Sequence, residues 1–127
     1  MNNKSLVARL RTSFLIAALI NAAPTYSAEV IKFTTRSMAY FVNGQLQPTL
    51  SLKRGVTYAI EVDTPGHPLW IKTLVSNGQD DAYTHGITGN GTTSGTITFV
   101  VPADAPPQLF YNCLVHPSMH GSIEISD

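Results

Sequence analysis

Residues 29–127 are predicted to form an all-β domain, an antiparallel β-sandwich of seven or eight strands. Apolar and polar residues alternate along several short segments, which is the pattern of strands with one buried face. Glycine, proline, asparagine and aspartate recur between these segments and mark turns. No window after residue 28 keeps the 3.6-residue period of a helix, so regularly spaced short strands with turns favour a sandwich.

The strand candidates can be followed along the chain. The first five lie at 30–35, 39–42, 49–53, 56–62 and 69–75. Asn43-Gly44 directly follows the second, and this dipeptide is the strongest short hairpin signal. Residues 76–94 are rich in glycine and polar side chains, which predicts a long loop with room for a short strand or turn. The last three candidates lie at 95–101, 109–113 and 122–125.

The first 28 residues are predicted to be a secretory signal peptide, followed by one domain over 29–127. Lys4, Arg9 and Arg11 precede the apolar run that begins at Phe14, and small residues near position 28 allow cleavage. An uncleaved anchor is the alternative, although Asn21 and Pro24 shorten the apolar run. We therefore expect a periplasmic or secreted protein with no membrane span after signal removal.

Charge excludes one class of partner. Without the signal peptide the chain keeps five Lys and Arg against eight Asp and Glu, a formal net charge of −3. A nucleic-acid-binding protein needs a basic stripe, so nucleic acid is not an expected partner. The same acidic balance provides no polybasic patch for a membrane surface.

The segment from Cys113 to Met119 carries the chemistry. It holds the one cysteine of the chain, with His116 three positions later and Met119 three after that. A lone cysteine in an exported chain needs an explanation, either as a metal ligand, as a free thiol, as half of an intermolecular disulfide or as a small buried side chain. Thiolate, imidazole and thioether are the donors of blue-copper sites, whereas methionine is a poor ligand for zinc. A Cys–His nucleophilic pair would also need an orienting Asn or Asp and an oxyanion hole, which no motif marks.

The residues from Phe110 to Ile125 resemble the copper-ligand loop of the cupredoxins, in particular its amicyanin-like and plastocyanin-like form. Residues 95–102 also resemble the strand that precedes this loop. The resemblance implies a Greek-key sandwich with one type-1 copper ion, held by a histidine from an earlier loop together with Cys113, His116 and Met119. His67 fits that earlier position, because it follows the turn at 63–66 and precedes an apolar strand. His85 and His120 are expected at the surface.

The resemblance implies an electron carrier that cycles between Cu(I) and Cu(II), and not an enzyme. Its partners are expected to be redox proteins that dock transiently, and the protein itself is expected to be a monomer. A periplasmic copper carrier or copper-resistance protein, with the same ligands, is one alternative. A metal-free binding module of the same fold is the other.

Overall fold

A computed structural model describes residues 27–127, and most of the predicted signal peptide lies outside these residues. The described chain contains ten strands and no helix, and hence no helix long and apolar enough to cross a membrane. The strands are β1 (Glu29–Arg36), β2 (Ala39–Val42), β3 (Gln45–Leu46), β4 (Leu50–Lys53), β5 (Thr57–Asp63), β6 (Leu69–Lys72), β7 (Ile87–Thr88), β8 (Ser94–Val100), β9 (Gln108–Cys113) and β10 (His120–Ser126).

The strands form two sheets, and this confirms the predicted β-sandwich. One sheet has the order β3-β2-β1-β5-β8-β7 and the other the order β4-β10-β9-β6. Each sheet is mixed, because β1 runs parallel to β5 and β4 runs parallel to β10. The structure differs from the expectation in these two parallel pairs and in its strand count. The additional strands, β3 and β7, have two residues each, too few for a periodic pattern to reveal.

The core lies between the sheets and follows from the alternation in the sequence. Alternate residues are buried along β5 (Tyr58, Ile60 and Val62) and along β10 (Gly121, Ile123 and Ile125). Three aromatic rings meet in the core, where Phe33, Tyr40 and Tyr111 contact one another edge to face with centroids 5.0–6.2 Å apart. Such pairs add about 0.5–1.5 kcal/mol each beyond the area they bury.

The Asn43-Gly44 hairpin is confirmed. Both residues have positive φ, 48° and 82°, as a two-residue primed turn requires, and the turn joins β2 to β3. A second turn of this kind joins β1 to β2 through Ser37 and Met38, with φ of 50° and 62°. Serine and methionine rarely adopt positive φ, so no local residue pattern marks this turn.

The long segment 76–94 is held against β6 by backbone hydrogen bonds, among them the one from the Tyr83 amide to the Ile71 carbonyl at 2.9 Å, and by the Asn90 side chain. Asn90 Oδ1 accepts a hydrogen bond from the Ile71 amide at 2.8 Å, and Asn90 Nδ2 donates to the Ile71 carbonyl at 3.2 Å. Asn90 thus supplies the acceptor for the Ile71 amide on this side of β6. Gly91 follows, and the Trp70 indole packs so close to it that a Cβ would overlap the ring. These contacts fix the loop beside the strand that follows His67.

Candidate metal centre

Strand pairing brings the two halves of the candidate site together. In the antiparallel pair β6/β9, Leu69 lies opposite Cys113. His67 precedes β6 and His116 follows β9, so both histidines lie at the same end of the sandwich as the cysteine. Two hydrogen bonds extend this contact into the loops: the Leu114 amide donates to the Pro68 carbonyl at 3.0 Å, and the Gly78 amide donates to the Leu114 carbonyl at 2.8 Å.

His67, Cys113 and His116 form a compact cluster of donor atoms. Cys113 Sγ lies 3.8 Å from His67 Nδ1 and 3.6 Å from His116 Nδ1. All three ligand atoms lie within 4.8 Å of one another, and the two imidazole centroids are 5.1 Å apart. Cys113 is buried, whereas both histidines are half-buried at the rim.

These separations fit one metal ion. Zinc makes bonds of about 2.3 Å to thiolate and about 2.0–2.1 Å to imidazole; at roughly 120° to each other, such bonds put sulfur and nitrogen about 3.8 Å apart. The observed separations of 3.6 and 3.8 Å leave space for an ion of similar size between the sulfur and each nitrogen. The three residues are therefore arranged so that they could hold a metal ion.

Met119 is fully buried beneath the same loop. Its amide donates to the His116 carbonyl at 2.9 Å, and its carbonyl accepts from the Cys113 amide at 2.9 Å. The loop from Cys113 to Met119 is therefore closed on itself by backbone hydrogen bonds. Together Cys113, His67, His116 and the buried Met119 offer a thiol, two imidazoles and a thioether, the donor types that favour copper over zinc.

Comparison with solved structures identifies the architecture. Rusticyanin from Thiobacillus ferrooxidans superposes with a TM-score of 0.54 at 19% identity, over 80% of each chain. Another structure of the copper protein rusticyanin gives a TM-score of 0.55 at 17% identity, also over 80% of each chain. Auracyanin A, a "blue" copper protein from Chloroflexus aurantiacus, gives 0.54 at 14% identity, over 79% of this chain and all of its own. This chain has the cupredoxin fold.

The likeness to cupredoxins lies in the fold. No protein-family model and no curated protein matches this sequence. With identities below 20%, the contacts around this site have to be derived from its own residues.

The backbone around His67 is fixed by several donors. The His67 amide donates to the Thr64 carbonyl at 2.9 Å, and the Thr64 hydroxyl donates to the His67 carbonyl at 2.8 Å. Gly66 completes this turn with φ of 78°. The buried Tyr40 hydroxyl lies 3.0 Å from the His67 carbonyl and 3.2 Å from the Pro68 carbonyl, and it donates to this pair. Strand β2 therefore helps to set the position of a residue of the cluster.

Asn112 and Lys72 hold the other side of the loop. Asn112 Nδ2 donates to the Met119 carbonyl at 3.0 Å, and its Oδ1 accepts from the Ser76 amide at 3.0 Å. Lys72 Nζ donates to the Ser76 carbonyl at 2.8 Å and lies 3.4 Å from Asn112 Oδ1. Both side chains are buried. Lys72 and Tyr40 belong to no motif, and Asn112 lies in the ligand-loop stretch without any sign of these contacts in the sequence.

Two buried groups near Cys113, Tyr40 and Lys72, have shifted pKa values. Burial raises the pKa of Tyr40, and a negative charge on the neighbouring Cys113 raises it further. Burial lowers the pKa of Lys72, whereas Asp81 and Cys113 act in the opposite direction. Both residues therefore interact with the cysteine electrostatically.

The other two histidines lie outside the cluster. His85 is exposed, near Tyr83. His120 lies in β10 opposite Asn112, and its Nδ1–H donates to the Pro117 carbonyl at 2.7 Å. Gly121 is required for close packing inside the same strand. It lies inside β10, where a Cβ would overlap the Tyr111 side chain.

Proposed function

We propose that this protein is an exported, mononuclear blue-copper electron carrier. Its copper ligands would be Cys113, His67 and His116, with Met119 as the weak axial ligand. The observation that carries the proposal is the convergence of one thiol sulfur and two imidazole nitrogens at 3.6 and 3.8 Å. The loop that holds Cys113 and His116 also holds the buried Met119. Two imidazoles, a thiolate and a long axial thioether are the donors of a blue-copper site.

The protein's part in electron transfer would be to hold these donors still. Bound copper supplies a one-electron couple between Cu(I) and Cu(II). Cys113 is anchored at the end of β9, and the His67 carbonyl is held by the Thr64 and Tyr40 hydroxyls. Donors fixed by a packed sandwich change position little between the two oxidation states, and a small rearrangement favours fast transfer.

Electrons would enter and leave through His116. This side chain is half-buried at the rim, whereas Cys113 and Met119 are buried. Val115 next to it is 52% exposed, and Pro117 is exposed as well. A small apolar surface of this kind suits a transient redox partner, since such encounters use small interfaces. We propose that the protein acts as a monomer and not as an enzyme.

Spectroscopy of residues 29–127 loaded with Cu(II) tests the proposal. We expect an intense visible thiolate-to-copper band, a blue-copper electron paramagnetic resonance spectrum and reversible reduction. Cys113→Ser should abolish the band, and His67→Ala should alter it. His85→Ala and His120→Ala are matched controls outside the cluster and should leave it unchanged.

The same experiment separates the alternatives. A colourless protein that transfers Cu(I) to an acceptor would point to a copper carrier. A protein that takes up no copper would point to a metal-free binding module. A visible band that survives in Cys113→Ser would refute the ligand assignment.

A further inference from the structure

Lys72 is a fully buried cation on the inner side of the candidate metal centre. It is the last residue of β6 and has no exposed surface. Lysine is almost never fully buried unless it is paired, because its long stem normally carries the ammonium group to water. Lys72 therefore requires an explanation.

Its hydrogen-bond partners do not neutralise its charge. Lys72 Nζ contacts the Ser76 carbonyl at 2.8 Å and Asn112 Oδ1 at 3.4 Å, and both acceptors are uncharged. The two salt bridges within residues 27–127 are Lys32–Glu61 and Arg54–Asp127, so Lys72 has no carboxylate within 4.0 Å. An unpaired buried charge is costly, and an apolar side chain of similar length would fill the same space at lower cost. Packing alone thus gives no reason for a lysine here.

The ammonium group is linked to the metal centre by Asn112. This residue directly precedes Cys113, and its Oδ1 faces Lys72. Its Nδ2 donates to the carbonyls of Pro117 at 3.4 Å and Met119 at 3.0 Å. Lys72 is therefore separated from the cysteine by one hydrogen bond and one residue. Burial lowers the pKa of Lys72, and Asp81 and then Cys113 oppose this shift, which agrees with a position near the cysteine.

We propose that Lys72 is a charge-positioning residue that raises the reduction potential of the copper site. The inference rests on the proposed function. When the site accepts one electron, Cu(II) becomes Cu(I) and the site loses one positive charge. A fixed cation nearby therefore destabilises the oxidised state more than the reduced state, and this favours reduction. Because Lys72 is buried, salt screens its effect only weakly.

The test compares reduction potentials of copper-loaded variants. Lys72→Met removes the charge and nearly keeps the length. We expect its Cu(I)/Cu(II) ratio at a fixed applied potential to fall roughly tenfold, a shift of about −59 mV for a one-electron couple. Lys53→Met is the matched control, because Lys53 lies in β4 of the same sheet but is exposed. Its potential should stay that of the wild type.

The visible band shows whether the ligands are intact in each variant. A structural role alone would weaken the band or the stability of Lys72→Met without a systematic fall in potential. If Lys72→Met does not fold, Lys72→Gln gives a second neutral variant with a polar head group. An unchanged potential in the folded neutral variant, or an equal shift in Lys53→Met, would overturn the proposal. If the wild type shows no copper band at all, the proposed function fails instead.

Discussion

Two buried tyrosines, Tyr40 and Tyr111, allow the cost of losing a hydroxyl hydrogen bond to be compared in two settings. The carbonyls that accept from Tyr40 have second donors, whereas the carbonyl that accepts from Tyr111 has none within residues 27–127. The Tyr40 hydroxyl donates to the carbonyls of His67 and Pro68. Each of these carbonyls has a second donor, the Thr64 hydroxyl at 2.8 Å and the Leu114 amide at 3.0 Å. Tyr40→Phe therefore leaves no carbonyl without a partner. We expect it to lower the free energy of unfolding by about 0.5–1.5 kcal/mol, the net value of a satisfied hydrogen bond.

Tyr111→Phe is the matched variant. The Tyr111 hydroxyl donates to the Pro48 carbonyl at 2.6 Å, and no second donor to this carbonyl occurs within residues 27–127. Its removal leaves the carbonyl without a protein partner, which costs about 1–3 kcal/mol. Tyr→Phe keeps the aromatic ring in both variants. Both rings are fully buried in the same aromatic cluster, so the two variants differ chiefly in the hydrogen bonds that they lose.

Urea denaturation of the metal-free proteins measures both effects. The transition midpoint should fall further in Tyr111→Phe than in Tyr40→Phe, with equal slopes if the unfolded states are alike. In a domain of about 100 residues, 1 kcal/mol corresponds to a shift of roughly 4–8 °C in the melting temperature. A Tyr40→Phe variant that loses as much stability as Tyr111→Phe would contradict the argument from second donors.

Three further predictions concern packing, loop docking and pH. Gly121→Ala should lower the free energy of unfolding, measured in urea, by about 1–3 kcal/mol, because the new Cβ would overlap the Tyr111 ring. A variant as stable as the wild type would refute this packing. Asn90→Ala should cost about 1–3 kcal/mol and speed hydrogen exchange of the Ile71 amide, whereas unchanged exchange would show that the loop docks by other contacts. Burial raises the pKa of Tyr111 above the value of 10 that the unfolded chain keeps. Above pH 10 the unfolded state therefore loses this proton before the folded state does. The free energy of unfolding then falls by up to about 1.4 kcal/mol per pH unit, whereas below pH 10 the contribution of Tyr111 is complete. Tyr111→Phe should therefore show a shallower alkaline loss in denaturation curves, and an identical slope would exclude Tyr111 as its source.

Much of the fold could be predicted because its signals are local. The alternation along β5 and β10 identified strands with one buried face, and Asn43-Gly44 identified a hairpin. The turn at Ser37-Met38 could not be predicted, since its positive φ values are imposed by the pairing of β1 with β2 and not by the residues in the turn. The parallel pairing of β1 with β5 and of β4 with β10 could not be predicted either. The relative direction of two strands depends on the path of the chain between them, which the alternation of apolar and polar residues does not encode.

The sequence by itself determined which donor atoms this protein can offer, because Cys113, His116 and Met119 lie within seven residues and their chemistry is a property of their side chains. It also pointed to His67 by its place between a turn and an apolar strand. Only the tertiary structure decided that His67 Nδ1 lies 3.8 Å from the sulfur, because β6/β9 pairing brings together residues 46 positions apart. It also decided that Tyr40, Lys72 and Asn112 surround the site. Hydrogen bonds between distant segments depend on how the sheets pack, and no short pattern in the chain records that packing.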